Sequence, residues 1–441
     1  MYARVASICL SLAVGGGGFA AERNPPPSSK DGISSAAKAV YAAARPRLLQ
    51  VRTLLGTTER QSSIGSAFFV TAAGDAITNY HVVSQYALEP ETYRLEYTSP
   101  DGQRGPLKLI AFDIANDVAL IHADRQGQSH FEFDKRTRGN ALTNGERLYS
   151  MGNPLDIGFT IVEGTYNGRV QRSYNDRLHF SGALNPGMSG GPTVSSDNRV
   201  VGINVSKRFG GDLISFLVPS SVAIDLLAAK RDRLEPSGGT IRAEIARQLL
   251  NWQSGLYRVL GEKVLPSRTF GPYQAPDSPA AWFACWGNTN ADRVPKPRAL
   301  VYTTSCDTDT SLFIANDLST GHIRVVHSHV KSVDLNAFQF ANFVSGQYQP
   351  SWRGWNRKRH TRTRCHEAFL EGKPGLTPPV RAVWCARAYR EFAGIYDVSL
   401  IALTQDRPTE ALVTRLSMQG VSYENALQFG ERFLGEIGLA R

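Results

Sequence analysis

Cysteine is scarce in this sequence and unevenly placed. The 441 residues contain five cysteines, of which Cys9 lies near the N-terminus and Cys285, Cys306, Cys365 and Cys385 lie in the C-terminal part. No two of them have the C-x-x-C spacing typical of zinc sites, which disfavours a site built from four thiolates. An even set of cysteines indicates disulfides instead. Three pairings are open, and the one that joins sequence neighbours needs only short loops, each contributing about 3 kcal/mol.

A long apolar run is lacking as well. The N-terminus, M-Y-A-R-V-A-S-I-C-L-S-L-A-V-G-G-G-G-F-A-A-E, has one positive charge, a short apolar core and small residues at Gly18 and Ala20. The core is too short for a membrane span, whereas this arrangement is typical of a secretory signal. We predict a signal peptide over residues 1–20 and a Pro- and Ser-rich disordered leader over 21–41. The protein is therefore expected to be exported, periplasmic or secreted; an uncleaved anchor and a misplaced start are the alternatives.

A glycine-rich turn is the most informative stretch of the chain. The sequence G-A-L-N-P-G-M-S-G-G-P-T-V, residues 182–194, places Gly187, Gly190 and Gly191 around Ser189. Glycines let the backbone adopt conformations that a Cβ forbids. Such a turn can hold a hydroxyl outward while backbone N–H groups converge in front of it, as beside an oxyanion hole. By itself the motif also fits the nucleophile elbow of α/β-hydrolases or a purely structural turn.

Two residues that lie earlier in the sequence, a histidine and an aspartate, decide between these interpretations. His81 follows an apolar run, and Asp117 stands immediately before the run V-A-L-I. The order histidine, acid, serine is that of chymotrypsin, whereas α/β-hydrolases run serine, acid, histidine. The segment after Ser189 reads as strand, turn, strand, where a nucleophile elbow would open a helix. Asp113 is the rival acid and is interpreted as a solvated turn residue; His179 is interpreted as a strand histidine.

Seven short motifs between residues 42 and 227 point to a family. They are G-S-A-F-F-V, T-N-Y-H-V-V, D-V-A-L-I, M-G-N-P-L, N-P-G-M-S-G-G-P, V-V-G-I-N and F-L-V-P-S. In this order and spacing they resemble the trypsin-like protease domain of the HtrA (Deg) group. The resemblance implies that His81 is the general base, Asp117 its orienting acid and Ser189 the nucleophile. It places the oxyanion hole at Gly187, Met188 and Ser189, with the N–H groups of the first and third as donors, and it implies no metal or organic cofactor.

Two acids known from digestive trypsins are lacking around the serine. Met188 stands where those enzymes have an aspartate that pairs with a freshly cut N-terminus, so we expect no activation by N-terminal insertion. Ala183 stands six residues before the nucleophile, where an acid would select Lys or Arg. We therefore predict cleavage after small or medium apolar residues. The predicted pocket comprises Ala183, Leu184, Ile203, Asn204 and Val205.

The C-terminal part resembles no family that the motifs identify. It lacks the carboxylate-binding G-L-G-F-like loop of the PDZ domains found in the HtrA group. After a linker over residues 234–241, we predict an α+β domain over 242–441 that contains the disulfides. A helix is expected over 242–259, strands over 282–286, 298–304, 311–316, 322–330 and 398–404, and final helices over 409–418 and 423–437.

A basic segment and a histidine pair are the remaining candidates. Arg353–Arg364, R-G-W-N-R-K-R-H-T-R-T-R, concentrates positive charge beside Trp352 and Trp355. Such a segment fits a polyanion or an envelope surface, although a solvated basic loop is the simpler interpretation, and no specific nucleic-acid role is predicted. His327 and His329 would share one face of a strand and could hold a metal. No further ligand cluster is evident, so we interpret them as structural and predict no metal site.

The sequence thus predicts a mainly β protein in which a chymotrypsin-like double β-barrel protease domain, residues 42–233, precedes an α+β disulfide-containing C-terminal domain. The predicted function is that of an exported serine endopeptidase acting on protein or peptide substrates through an acyl-enzyme. The resemblance is compatible with an oligomer. The alternatives are a protease-fold binding or scaffold protein without turnover, and an esterase or lipase. A net charge of +10 fits acidic partners without naming one.

Overall fold

The computed structural model of the chain describes residues 34–207, 213–229, 238–308, 310–348 and 356–440. The predicted signal peptide, most of the predicted leader and the first half of the predicted linker lie outside these residues. The last residues of the leader are helical. Helix α1 (Ser35–Ala44) begins after Ser34, whose hydroxyl accepts a hydrogen bond from the Ala37 N–H at 3.1 Å.

The first β-barrel has six strands. Its elements in chain order are β1 (Leu48–Leu55), β2 (Gln61–Phe69), β3 (Asp75–Thr78), helix α2 (Tyr80–Leu88), β4 (Tyr93–Thr98), β5 (Arg104–Asp113) and β6 (Val118–His122). The strand order is β1-β2-β3-β6-β5-β4, and pairing of β1 with β4 closes the barrel.

The second barrel also has six strands. The elements of this region are β7 (Glu132–Phe133), β8 (Arg147–Gly152), β9 (Thr160–Arg169), β10 (Leu178–Phe180), β11 (Pro192–Val194), β12 (Arg199–Lys207), β13 (Ser215–Pro219) and helix α3 (Ser220–Ala228). The order β11-β8-β9-β10-β13-β12 is closed by pairing of β11 with β12, and β7 adds to the edge of β12. The predicted double barrel is therefore confirmed.

The C-terminal half is built on one antiparallel sheet. Its elements are α4 (Gly238–Glu262), β14 (Ser267–Phe270), β15 (Tyr273–Pro276), β16 (Phe283–Thr289), β17 (Ala299–Thr308), β18 (Leu312–Ala315), β19 (Leu318–Thr320), β20 (Ile323–Ser332), α5 (Ala337–Gln347), β21 (Arg364–Leu370), β22 (Val380–Ala388), β23 (Tyr396–Thr404), β24 (Glu410–Val421), α6 (Tyr423–Gly435) and β25 (Gly438–Leu439). The seven-stranded order is β16-β17-β20-β24-β23-β22-β21. Helices α4 and α6 cover one face, whereas α5 packs on the other. Helices and strands are thus combined as predicted.

One predicted helix is wrong. From residue 410 onward this segment belongs to strand β24, which pairs with β20 on one side and β23 on the other. Side chains of β24 alternate between the two packed faces: Leu412 contacts the cluster under α6 and Val413 the cluster under α5. Leucine, methionine and alanine favour a helix locally, but pairing in the centre of a sheet overrides that preference.

The structure pairs the four C-terminal cysteines as sequence neighbours. Cys285 bonds to Cys306 across β16 and β17, and Cys365 bonds to Cys385 across β21 and β22. In each pair the two residues lie directly opposite each other in the strand register. The alternative of a four-thiolate zinc site is therefore excluded, because all four sulfurs are consumed in disulfides.

One hydrophobic core joins the first barrel to the C-terminal half. It combines side chains of the barrel and of α2 with residues of α4, of the β18–β19 hairpin and of the loop before β23. The contributing residues beyond the barrels are Ile241, Ile245, Ala246, Leu249, Leu312, Ile314, Ala315, Leu318, Tyr389, Phe392 and Ile395. Among the described residues, no helix combines the length and the apolar character that crossing a membrane requires.

Candidate active site

His81 and Asp117 are in direct contact at the edge of the first barrel. Strand β3 ends at Thr78, so His81 lies in the first turn of α2 rather than on the strand edge that the sequence suggested. Its Nδ1 is 2.6 Å from Asp117 Oδ2, and its backbone N–H donates to Asp117 Oδ1 at 2.8 Å. Because one carboxylate holds both the ring and the backbone of His81, the orientation of the imidazole is fixed.

The environment of His81 alters its basicity. Burial lowers the pKa of His81, but the charge of Asp117 and the hydrogen bond to it outweigh burial and raise the pKa above the ordinary value of 6.5. A histidine with this pairing accepts a proton more readily than a free one. The arrangement suits a general base whose charged form is stabilised by a neighbouring acid.

Asp113, the alternative candidate for the acid, forms hydrogen bonds within the loop before Asp117. Its carboxylate accepts hydrogen bonds from the Asn116 N–H at 3.0 Å and from Asn116 Nδ2 at 2.7 Å. Asp117 itself has a φ of +61°, and its carbonyl accepts a hydrogen bond from Asn79 Nδ2 at 2.7 Å. The structure therefore brings Asp117, and not Asp113, to His81.

The serine turn, residues 185–191, packs closely against backbone on two sides. Gly187 has a φ of +94°, and a Cβ there would lie 2.4 Å from the Asn153 carbonyl oxygen. Gly190 has a φ of +83°, and a Cβ there would lie 2.8 Å from the Asn79 nitrogen. Only glycine fits these two positions. The second contact places the serine turn against the segment that leads into α2.

A third glycine lies where the two barrels meet. A Cβ on Gly65 would lie 2.5 Å from Val82, the neighbour of His81, and 3.1 Å from the carbonyl oxygen of Ser189. The helix that carries the histidine and the serine turn therefore both pack against this one glycine. Ser189 is partly exposed, and within the described residues its hydroxyl forms no hydrogen bond, to His81 or to another group.

Three backbone N–H groups of the serine turn have no acceptor within the described residues, those of Asn185, Gly187 and Ser189. The carbonyl oxygen of Pro186 accepts a hydrogen bond from the Leu155 N–H at 2.9 Å. In a trans peptide the carbonyl and the next N–H point in opposite directions, so the Gly187 N–H is directed away from Leu155. The N–H of Met188 differs, because it donates at 3.0 Å to the carbonyl three residues earlier. Met188, included in the predicted oxyanion hole, therefore offers no free donor.

Ser66 braces the serine turn and was not singled out from the sequence. Its hydroxyl donates to the Gly187 carbonyl at 2.7 Å and accepts from the Asn153 N–H at 2.9 Å, while its N–H donates to the Ser189 carbonyl at 2.8 Å. Ser66 is buried, so these contacts are shielded from water. The motif G-S-A-F-F-V contained this residue, but only the fold shows its partners.

The predicted pocket residues differ in exposure. Ala183 is exposed and Val205 is partly exposed, whereas Leu184 and Ile203 are buried among apolar side chains of the second barrel. Asn204 is also buried, and its amide donates to the carbonyls of Met151 and Met188 at 2.9 and 3.2 Å. The buried side chains can support a pocket, and only the exposed ones can contact a ligand. Their roles stay predictions.

Helix α4 of the C-terminal half reaches the loop that precedes the acid. Gln248 accepts a hydrogen bond from the Ile114 N–H at 2.9 Å and donates to the Phe112 carbonyl at 2.8 Å. The ring of Phe313, on β18, lies 5.9 Å from the His81 ring in an edge-to-face arrangement. Sequence reasoning missed both residues, because no local pattern marks a contact with a site more than 100 residues away.

The histidine pair of β20 is structural in its contacts. His327 is fully buried and bonds to Thr414 Oγ1 at 3.0 Å and to the Pro276 carbonyl at 2.6 Å. His329 bonds to Glu410 Oε1 at 2.8 Å. Both nitrogens of His327 are thus occupied by protein groups, which agrees with the structural interpretation.

The described part of the basic segment is partly neutralised within the protein. Arg359 is buried and forms ion pairs with Asp317 and Glu391, and Lys358 lies 3.6 Å from Glu89. Residues 349–355, which include the beginning of the segment and both of its tryptophans, lie outside the described residues.

Comparisons with known proteins concern the double barrel. Residues 65–203, which include His81, Asp117 and Ser189, match the trypsin-like peptidase domain family. The probable periplasmic serine endoprotease DegP-like of Rhizobium meliloti is 31% identical over 175 residues, covering 38% of this chain and 33% of that protein. The serine protease HTRA1 of Xenopus laevis is 29% identical over 236 residues, covering 50% of this chain and 49% of that protein.

The chain thus spans between a third and a half of the length of these curated relatives. Among solved structures, the serine endoprotease from Yersinia pestis has a TM-score of 0.39 and 21% identity, covering 45% of this chain and 68% of that chain. The family match and the relatives agree with the resemblance of the motifs. Residues 65–203 therefore form a trypsin-like peptidase domain that is similar in sequence to those of HtrA-type proteases.

Proposed function

We propose that the protein is a serine endopeptidase that cleaves peptide bonds through an acyl-enzyme. Ser189 attacks the peptide carbonyl, His81 takes the hydroxyl proton and returns it to the leaving amine, and Asp117 holds the imidazole and stabilises its charged form. Water then repeats the cycle on the acyl-enzyme. The observation that carries the proposal is the contact of His81 with Asp117 beside a glycine turn that leaves the N–H groups of Gly187 and Ser189 without acceptors.

The arrangement of the turn supports electrostatic stabilisation of the reacting oxygen. Donors that are fixed before the reaction lower the energy of developing charge, and losing one such donor costs about 10²–10³ in kcat. The bonds from Leu155 and Ser66 hold the peptide on either side of the Gly187 residue in one orientation. In this proposal the donors are the N–H groups of Gly187 and Ser189.

The substrates proposed are proteins or peptides, cleaved after small or medium apolar residues. The exposed Ala183 near the serine turn supports this preference, because a methyl group cannot pair with a basic side chain. Export to the periplasm is proposed from the printed description of the Rhizobium relative and from the two disulfides, which form in oxidising compartments. Efficient cleavage after arginine in a peptide library would contradict the proposed specificity.

A fluorophosphonate probe tests the mechanism on the full chain. We expect labelling of the wild-type protein and its loss in Ser189→Ala and in His81→Ala. The matched controls are Ser129→Ala and His130→Ala, which change an exposed serine and an exposed histidine next to each other. Unlabelled wild-type protein should also hydrolyse casein, and labelling should abolish that hydrolysis.

Each alternative function has its own outcome in this experiment. Labelling that persists in Ser189→Ala would assign the reactive serine elsewhere. Labelling without peptide hydrolysis, but with hydrolysis of acyl esters, would favour an esterase. An unlabelled wild-type protein would favour a binding or scaffold protein on a protease fold.

We further propose that the basic segment Arg353–Arg364 contacts a polyanion or an anionic envelope surface. Arg362 and Arg364 border a groove of about 510 Å³ that is also lined by His366 and Trp384. Cosedimentation with phosphatidylglycerol vesicles should fall in the double variant Arg362→Gln/Arg364→Gln. It should be unchanged in Arg293→Gln/Lys296→Gln, which removes two exposed charges elsewhere. Equal losses in both variants would show that the binding depends only on net charge.

We also propose an oligomer from the HtrA resemblance, and light scattering of the full chain tests it.

A further inference from the structure

We propose that Phe313 of the C-terminal half is part of the substrate-binding cleft. In this proposal its ring forms one wall of a subsite beside His81 and receives an apolar side chain of a substrate residue that flanks the scissile bond. The inference rests on the proposed peptidase function and adds a specificity-determining residue from outside the double barrel.

The hairpin that carries Phe313 exposes this ring selectively. Strands β18 and β19 are joined by a two-residue turn, and Leu312 and Ile314 are buried in the core shared with the first barrel. Successive side chains of a strand point to opposite faces. Phe313 therefore lies on the other face of β18 from Leu312 and Ile314, where it packs against the edge of the same core and is only partly buried.

The hairpin is docked on the helix that carries the histidine. The Tyr80 hydroxyl donates to the Ile314 carbonyl at 3.2 Å, and the fully buried Tyr80 ring packs 5.2 Å from that of Phe112. Because Tyr80 directly precedes His81, this bond fixes β18 against the first turn of α2. The resulting distance between the Phe313 and His81 ring centres is 5.9 Å, with an interplanar angle of 72°.

A chain of ion pairs holds the tip of the hairpin. Asp317, in its turn, pairs with Arg359 at 2.8 Å, and Arg359 also pairs with Glu391. Glu391 in turn pairs with Arg242 on α4 at 3.0 Å, and Arg242 donates to the Leu88 carbonyl at the end of α2 at 2.8 Å. The hairpin is therefore fixed relative to both ends of α2, so the ring of Phe313 keeps its place beside the imidazole.

The chemistry of peptide cleavage brings substrate to this ring. The imidazole exchanges a proton with the attacking hydroxyl and with the leaving amine, so the residues flanking the scissile bond must lie against it. The His81 side chain is 28% exposed, which leaves room for that approach. A phenyl ring next to it offers an apolar surface and the edge and face contacts that aromatic side chains favour. The substrate class is therefore a peptide with an apolar or aromatic residue beside the cleaved bond.

Selectivity profiling of three variants tests this inference. With a peptide library, the wild-type protein should prefer apolar over glycine side chains at one position flanking the cleaved bond. Phe313→Ala should lower kcat/KM for the preferred peptides about tenfold while changing that of glycine peptides less than twofold. Phe313→Leu should give an intermediate loss. The matched control is Phe338→Ala, because Phe338 lies on α5 and is 85% exposed.

The outcomes separate the inference from the proposed function. Fluorophosphonate labelling of Phe313→Ala at the wild-type rate, together with the selective loss, would support the inference. A loss by the same factor for all peptides would indicate a purely structural role and overturn it. Faster cleavage of every peptide by Phe313→Ala would show that the ring blocks the cleft, which would also overturn it. If the wild-type protein is not labelled, the proposed function fails and the inference falls with it.

Discussion

The two barrels hold their parts of the candidate site by different means. The first barrel supplies His81 and Asp117, and its core continues into α4 and the β18–β19 hairpin of the C-terminal half. The second barrel supplies Ser189 on a glycine turn, whose braces, such as Ser66 and Leu155, all lie within the double barrel. The serine is therefore held by contacts within the double barrel, whereas the base and the loop before the acid also contact the C-terminal half.

The hydrophobic contacts do not follow the predicted domain boundary. We predicted a protease domain followed by a separate C-terminal domain, but the core of the first barrel includes residues from both sides of that boundary. Two apolar clusters of the second barrel contain no residue from the described part of the C-terminal half, and from this barrel Tyr174 packs against the core of that half, whereas the largest cluster of the first barrel contains eleven of its residues. We therefore expect the first barrel to lose its structure together with the C-terminal half.

Of the changes proposed to test this difference between the barrels, replacing the acid should have the largest effect on kcat. Asp117→Asn removes the charge that stabilises protonated His81, and we expect kcat to fall by about 10⁴. The matched variant Asp113→Asn, which loses only contacts to Asn116, should retain most of the activity. Peptide hydrolysis by the two variants measures the difference. Equal losses would mean that the acid had been wrongly assigned.

We also expect Asp117→Asn to change the pH dependence of the reaction relative to the wild-type protein. The base must be neutral to accept a proton, and the pKa of His81 in the wild-type protein is raised above 6.5 by Asp117. The rate kcat/KM should therefore fall as the pH decreases through a value above 6.5. In Asp117→Asn only burial remains, which lowers the pKa of His81, so the decline should move to lower pH. A decline at the same pH in both proteins would contradict the assignment of His81 as the base.

The next largest effect concerns the second barrel alone. Gly187→Ala places a Cβ 2.4 Å from the Asn153 carbonyl and must reorient the peptide that carries one proposed donor. We expect kcat to fall about 10²–10³ with little change in KM. Gly102→Ala is the matched control, because that glycine also has a positive φ, +87°, but has no atom within 4 Å of its Cβ position. Full activity of Gly187→Ala would show that the donors lie elsewhere.

The smallest effect tests whether the first barrel and the C-terminal half unfold together. Burial lowers the pKa of His327 to about 4, so the unfolded chain binds a proton between pH 6.5 and 4 that the folded protein does not. Stability contributed by neutral His327 is therefore complete above pH 6.5 and is lost as the pH falls. We expect the decrease in stability between pH 7.5 and 5 to be about 2 kcal/mol larger in the wild-type protein than in His327→Gln.

Denaturant titrations at pH 7.5 and pH 5 can follow the unfolding of the C-terminal half and of the candidate active site in the same samples. All six tryptophans lie at residue 252 or beyond, so their fluorescence reports the C-terminal half. Labelling by the fluorophosphonate probe reports the site. The two midpoints should coincide and shift together with pH. Probe labelling that persists after the tryptophan signal is lost would contradict the expectation that the first barrel and the C-terminal half unfold together.

The local signals of the sequence were sufficient where chemistry and backbone geometry coincide. The glycines around Ser189, the run after Asp117 and the apolar strands of both barrels all lie in short segments, and the fold places these segments as expected. In these segments, residues close in sequence or in a fixed family order carry enough information to constrain their arrangement. The cysteines differ, because the sequence left three pairings open and the structure pairs the sequence neighbours across adjacent strands.

One error arose where distant contacts override local preference. The segment 409–418 looks helical, but from residue 410 onward two neighbouring strands make it the centre of a sheet. In the basic segment, only the fold shows that Arg359 is buried and paired with Asp317 and Glu391. No window of sequence around Arg359 contains its partners, which lie 42 and 32 residues away.

The sequence by itself determined the double barrel, the candidate residues His81, Asp117 and Ser189, and the need for glycine in the serine turn, because each follows from local pattern and order. Only the tertiary structure decided which acid contacts the histidine, which N–H groups remain without acceptors and which part of the C-terminal half borders His81. Those properties depend on side chains that meet across more than 30 residues of intervening chain. Such contacts are selected by the packing of whole elements, and no local propensity encodes them.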